Sequence, residues 1–131
     1  MSKTLSSAGT VTVSTDGSVA ADEFWVQDSS LIDCSGKHGL NAEIKVTFAN
    51  ETDVSGEVTV YTVGSNDAGT DITSSAQAFP VAVFSPVQNT TVKALVTIPT
   101  VFDDQIGFAV ENTDENENAV SVAISYKTVT L

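Results

Sequence analysis

The chain has 131 residues, five lysines, no arginine and seventeen Asp and Glu, for a formal net charge of −12. That length suits one domain able to bury roughly two-thirds of its unfolded surface without disulfide staples. The charge excludes nucleic acid, whose phosphates need clustered Lys and Arg, and an anionic membrane surface.

Residues 1–9 are small and polar and predict a flexible arm, built from Ser2, Lys3, Thr4, Leu5, Ser6 and Ser7, with a single domain over 10–131. The arm lacks the apolar stretch of a classical signal peptide. No apolar run reaches the roughly 18 residues of a membrane-spanning helix. Nineteen Val and seventeen Thr bias the whole chain toward strands. Thr10 to Thr15 alternates with period two and is stopped by Asp16-Gly17. Phe24 to Gln27 opens a second strand that runs unevenly to Leu31-Ile32. After the turn-forming segment 33–39, Leu40, Ala42, Ile44, Val46 and Phe48 fall on one face, with Asn41, Glu43, Lys45 and Thr47 on the other. One dry face and one wet face is the antiparallel pattern.

A fourth strand spans Glu57 to Val63, followed by a polar loop. Ala78 to Phe84 is a fifth; Pro80 lacks a ladder donor and places it at a sheet edge or strand start. Thr90 to Ile98 forms the sixth, and Ile106, Phe108 and Val110 mark the seventh. An acidic hairpin loop, 111–118, precedes the last strand, whose inward residues are Val120, Val122, Ile124 and Tyr126. The expected core is Leu40, Ile44, Val46, Phe48, Val58, Val60, Ile106, Phe108, Val120, Val122 and Ile124. Eight antiparallel strands need a second apolar layer, so the predicted fold is an all-β, eight-stranded antiparallel β-sandwich of jelly-roll type. The Cys–Trp–Cys spacing of an immunoglobulin domain is missing.

Chemistry-bearing groups are sparse. Cys34 and His38 are each single copies, so neither an intramolecular disulfide nor a His-rich zinc site within one chain can form. Four residues apart, the two lack an orienting third group and a visible oxyanion hole, and Cys34 reads as a small buried residue beside Leu31-Ile32. Asp103 and Asp104 are strand neighbours that point to opposite faces, which does not make a glycosidase pair. Asp67, Asp71, Asp114, Glu115 and Glu117 are oxygen donors of the type calcium takes, but the ordered spacing of a calcium loop is missing, and a solvated hairpin tip is the simpler reading. Trp25, Tyr61 and Tyr126 are the candidate aromatics for a sugar platform, with a core anchor as the simpler reading of Trp25. Asn50-Glu51-Thr52 and Asn89-Thr90-Thr91 match the glycosylation triplet by chance in so Thr-rich a chain. No catalytic residue and no cofactor is expected.

The stretch from Leu31-Ile32-Asp33 through Gly36-Lys37-His38-Gly39-Leu40-Asn41-Ala42-Glu43 resembles small tailed-phage virion proteins. So do Val60-Tyr61-Thr62-Val63-Gly64-Ser65-Asn66-Asp67-Ala68-Gly69-Thr70, Val96-Thr97-Ile98-Pro99 and Ala123-Ile124-Ser125-Tyr126-Lys127-Thr128. The resemblance covers roughly residues 24 to 129 and is to capsid decoration, or cement, proteins. It implies a non-enzymatic homotrimer on the outer surface of the phage head, made in the host cytoplasm, that clamps the major capsid protein through the body and the N-terminal arm. No functional residue is carried over with it. A carbohydrate-binding or receptor-binding module of a phage fibre or tail is the alternative.

Overall fold

In a computed structural model, the residues described are 3–14, 16–27, 30–65, 75–100 and 105–131. Their strands, in chain order, are β1 (Thr4–Leu5), β2 (Gly9–Val11), β3 (Ser18–Val19), β4 (Phe24–Val26), β5 (Ile32–Asp33), β6 (Gly39–Thr47), β7 (Val58–Ser65), β8 (Phe79–Phe84), β9 (Thr91–Pro99), β10 (Gln105–Asn112) and β11 (Val120–Thr130). A single turn of 3-10 helix, Ser75–Gln77, is the helical part of the described residues. The eight expected strands are present. The uneven second one splits into β4 and β5, and β1 and β3 are added two-residue pairings. The first strand is shorter than its alternation suggested, ending at Val11.

The strands form two antiparallel sheets. Sheet A has the order β1-β11-β6-β9, with β2 and β3 also on β11; sheet B has the order β4-β10-β7-β8, with β5 on β10. The chain changes sheet between β3 and β4, β5 and β6, β6 and β7, β8 and β9, β9 and β10, and β10 and β11. The result is a β-sandwich of jelly-roll type. Pro80 lies where its missing donor is tolerated, since β8 is the terminal strand of sheet B.

The alternation in β6 sets the core. Ile44 lies opposite Ile124 and Val46 opposite Val122 on the inner face of sheet A. Val60 lies opposite Val110 on sheet B. All eleven residues expected inside are buried, none more than 4% exposed. The outer face of sheet A is wet, and cross-strand partners bond there: the Thr47 and Thr91 hydroxyls are 2.8 Å apart, and Thr97 Oγ1 donates to Asn41 Oδ1 at 3.1 Å.

Two expectations are corrected. The acidic segment 111–118 is not a hairpin: Glu111 and Asn112 belong to β10 in sheet B, while β11 lies in sheet A, so the link carries the chain across the sandwich. The arm is not free along its length either. Thr4 pairs with Thr130 and Leu5 with Val129. The Ser6 N–H donates to the Thr128 carbonyl at 3.0 Å, and Ser6 Oγ accepts the Thr128 N–H at 2.9 Å. The physical reason is that the edge of β11 offers unmatched backbone groups, which a short polar segment can satisfy without a core of its own. Ser6→Ala removes the acceptor for the N–H of Thr128, a buried residue. It is expected to cost about 1 kcal/mol in a urea unfolding curve.

Candidate functional site

Trp25 sits on β4, at the rim of sheet B, opposite Val110 of β10. It is half-buried: part of it packs on the main core, and the remainder lines a cleft of about 330 Å³ between β2 and β4. Thr10, Thr12, Ser14, Gln27 and Ser30 line the cleft with Trp25, as do Val11 and Val26. The core anchor read from sequence accounts for the packed part of Trp25, and the same residue also lines the cleft.

The polar wall is built to hold its shape. Gln27 is 8% exposed. Its Oε1 accepts the Phe108 N–H at 2.9 Å, and its Nε2 donates to the Ser30 carbonyl at 2.9 Å. The Gln27 N–H in turn donates to the Phe108 carbonyl at 2.9 Å. Ser14 and Ser30 have positive φ, 55° and 54°. Left-handed backbone at a residue that is neither Gly, Asn nor Asp carries a cost and concentrates at ligand sites. Here two such residues line one cleft. Sequence reading singled out Trp25 but missed Thr10, Thr12, Ser14, Gln27 and Ser30, because the cleft joins strands of different sheets. The positive φ of Ser14 and Ser30 leaves no signature in residue type.

The other two aromatics lie elsewhere. Tyr61 is on the outer face of sheet B, 8% exposed, in a small cluster with Val63 and Ala109. The Phe24 ring meets it edge-on, with centroids 5.9 Å apart, and its hydroxyl donates to Glu111 Oε1 at 3.1 Å. Tyr126, on sheet A, lies against Gly9: a Cβ there would be 2.5 Å from the ring Cζ. The three aromatics weighed as candidates for one platform occupy three separate places.

The acidic loop has a structural centre. Asp114 is 2% exposed, not the solvated tip expected of it. Its carboxylate accepts the N–H groups of Ser55 at 2.9 Å, Asn116 at 2.6 Å and Asn118 at 3.2 Å. Asn116 Nδ2 donates to the Asp53 carbonyl at 2.6 Å. This clasp ties the β6–β7 link to the β10–β11 link. Burial pushes the Asp114 carboxyl up, but the donors from Ser55, Asn116 and Asn118 outweigh it and hold it below the usual carboxylate range. Glu115 and Glu117 are exposed. Asp67, Asp71, Asp103, Asp104 and Ser2 lie outside the described residues. Among the described residues, no group of three or more His, Cys, Asp and Glu is placed to hold a metal.

Cys34 belongs to the core, 1% exposed, with Sγ 3.6 Å from the Ile32 carbonyl. His38 is exposed, and its Nδ1 accepts the Leu131 N–H at 3.4 Å. The turn between them turns Cys34 inward and His38 outward.

No family model matches the chain, and no curated protein does. Solved structures do. The C-terminal CBM6 of LamC, a marine laminarinase from Zobellia galactanivorans, aligns at TM-score 0.48 and 11% identity, over 94% of this chain and 90% of that one. CBM29_1, a family 29 carbohydrate-binding module from Piromyces equi, aligns at TM-score 0.51 and 14% identity, over 96% of this chain and 91% of that one. At 14% identity the likeness to CBM29_1 is one of fold, the β-sandwich jelly roll described above.

Proposed function

We propose that the protein is a non-catalytic binding module that takes a saccharide in the cleft beside Trp25. The carrying observation is the composition of that cleft: one aromatic ring and two valines among hydroxyls and a pinned amide, with left-handed backbone at Ser14 and Ser30. A sugar ring has an apolar C–H face and a rim of hydroxyls, so it asks for this combination. At about 330 Å³ the cleft is at the small end of ligand sites and suits one or two rings. The fold shared with a carbohydrate-binding module supports the same reading.

Trp25 is the chain's one tryptophan, so its fluorescence reports this cleft alone. Titration with soluble glucans, mannans and uronate-bearing oligosaccharides is expected to give a saturable change in that emission with one of these classes. Trp25→Ala should weaken the binding, measured by calorimetry, at least roughly tenfold, equivalent to about 1.4 kcal/mol. Trp25→Phe should keep part of it. Glycan binding that leaves the emission unchanged and survives Trp25→Ala overturns the assignment.

A second reading is favoured by the N-terminal segment. Leu5 is 41% exposed on the edge strand β1, an apolar handle at the rim of sheet A. On this reading the protein is a head decoration protein on the major capsid protein, and deleting residues 2–8 weakens its cosedimentation with heads. Undiminished cosedimentation of the deletion variant overturns it.

A further inference from the structure

β8 closes sheet B and β9 closes sheet A, and the two edges are built differently. β8 is blunted: Pro80 lacks a donor, and the β7–β8 ladder shifts register between Val60 and Tyr61. Proline and bulges are devices that keep an edge from adding strands. β9 has neither along its run. Its pairing with β6 is unbroken from Thr91 to Pro99, with proline only as the last residue, and among the described residues it pairs with β6 alone. Lysine can also guard an edge, but Lys93 leans the other way, its Nζ 4.0 Å from Glu43 on β6.

The ladder shows which groups this edge offers. Just beyond its two ends, the Phe48 N–H donates to the Thr90 carbonyl at 3.0 Å and the Thr100 N–H to the His38 carbonyl at 3.5 Å. Antiparallel bonding alternates, so the even-numbered residues of β9 bond to β6. Thr91, Lys93, Leu95 and Thr97 turn N–H and carbonyl to the open side. Leu95, in the middle of that row, is 74% exposed. Its neighbour on β6 is Glu43, whose charge is met by Lys45 at 3.4 Å and Lys93 at 4.0 Å.

We propose that a second copy of this chain adds to sheet A at β9, antiparallel, about a twofold axis at Leu95. The edge matches itself in that register. Leu95 meets its own counterpart and Lys93 meets Thr97, while the two copies of Lys93 stay roughly 14 Å apart along the strands. Odd-numbered residues face odd-numbered ones, so the open donors meet open acceptors, as a twofold contact requires. On the inner face Ala94 meets Val96 and Val92 meets Ile98, apolar on apolar; Val92, Ala94 and Val96 are only half-buried in one copy. The charge of −12 selects this edge as well. No Asp or Glu occurs from residue 72 to residue 102, so two acidic bodies meet here with no carboxylate on either edge strand.

Sedimentation of the full chain is expected to show a particle of about twice 13.6 kDa. Leu95→Pro removes the central open donor without touching the β6 ladder, and an edge strand tolerates proline. With one bond lost from each copy, dimerisation should weaken at least roughly tenfold, while the melting temperature of the monomer in dilute solution stays close to that of the wild type. Leu95→Ala keeps the donor and should weaken the dimer less. Cross-linking reads the register. On oxidation Leu95→Cys should give a covalent dimer and Lys93→Cys should not, with Cys34 silent at 1% exposed. A wild-type chain that stays monomeric up to its solubility limit overturns the proposal, and so does a trimer. A dimer that Leu95→Pro leaves intact, or one that cross-links at position 93 as readily as at 95, overturns it too and moves the contact off this edge.

Discussion

Replacing Phe108 with alanine is expected to lower the unfolding free energy by about 3–5 kcal/mol. Phe108 is fully buried and heads the fully buried side chains in volume. It stands in the middle of β10, between β4 and β7 in sheet B, and faces sheet A. Its N–H and carbonyl are both held by Gln27, so the backbone is poorly able to move in and fill the hole. A domain of this size is stable by roughly 5–15 kcal/mol, so the loss is a large share of the total. Urea unfolding checks it: the midpoint should fall with the slope unchanged. Leu95→Ala, at a residue 74% exposed, is the contrasting case and should change stability by less than roughly 0.5 kcal/mol. A Phe108→Ala loss below about 1 kcal/mol would show that the inward face has been misassigned.

Asp114→Ala should cost roughly 2–5 kcal/mol. Three backbone N–H groups, on Ser55, Asn116 and Asn118, bond to its carboxylate. Each donor left without a partner in a partly dry site costs about 1–3 kcal/mol, less where water can enter. Asp114→Asn should also destabilise, because its amide group presents hydrogens toward donors. The neighbouring Gly56 has φ of +70°, and a Cβ there would overlap the Thr113 carbonyl, so Gly56→Ala should disrupt the same clasp.

The pH dependence of the clasp has a definite sign. The folded carboxyl is held below its ordinary value, so the unfolded chain binds the proton more readily. The stability it contributes is complete above the ordinary carboxylate pKa of about 3.9 and is lost as pH falls through the lower, folded value. Thermal melting below about pH 4 should therefore fall more steeply for the wild type than for Asp114→Asn. Parallel curves would remove Asp114 from the acid response.

The sequence carries the parts of the fold that repeat with period two. The alternation from Leu40 to Phe48 identifies β6, its inward face and its wet face together, because one residue of slippage would turn every side chain over. Pro80 marks its edge for a single chemical reason, the missing donor. Partnership between distant segments leaves no such trace. Nothing in Glu111 to Asn118 says that the strands on either side belong to different sheets, so the segment looks like a hairpin. Asp114 looks like one more solvated acid until Ser55 is brought beside it. The arm looks free because two paired residues are too few to show an alternation. The Trp25 cleft takes Thr10 and Thr12 from one side of the sandwich and Gln27 and Ser30 from the other, so residue type gave the aromatic and not its surroundings.

The pairing of β11 has a consequence for the order of assembly. That strand meets β1, β2 and β3 on one side and β6 on the other. Val11 and Ile44 both wait for Ile124, and Thr4 waits for Thr130. On the ribosome, β1 to β3 emerge well before their shared partner, and one long edge of β6 stays open until residues 120–130 clear the exit tunnel. Sheet A is therefore completed after translation of this segment, through loop closures that span nearly the whole domain. Such closures make folding slow. The interval in which β6 is apolar on one face and unpaired along one edge is when the nascent chain is most exposed to wrong partners.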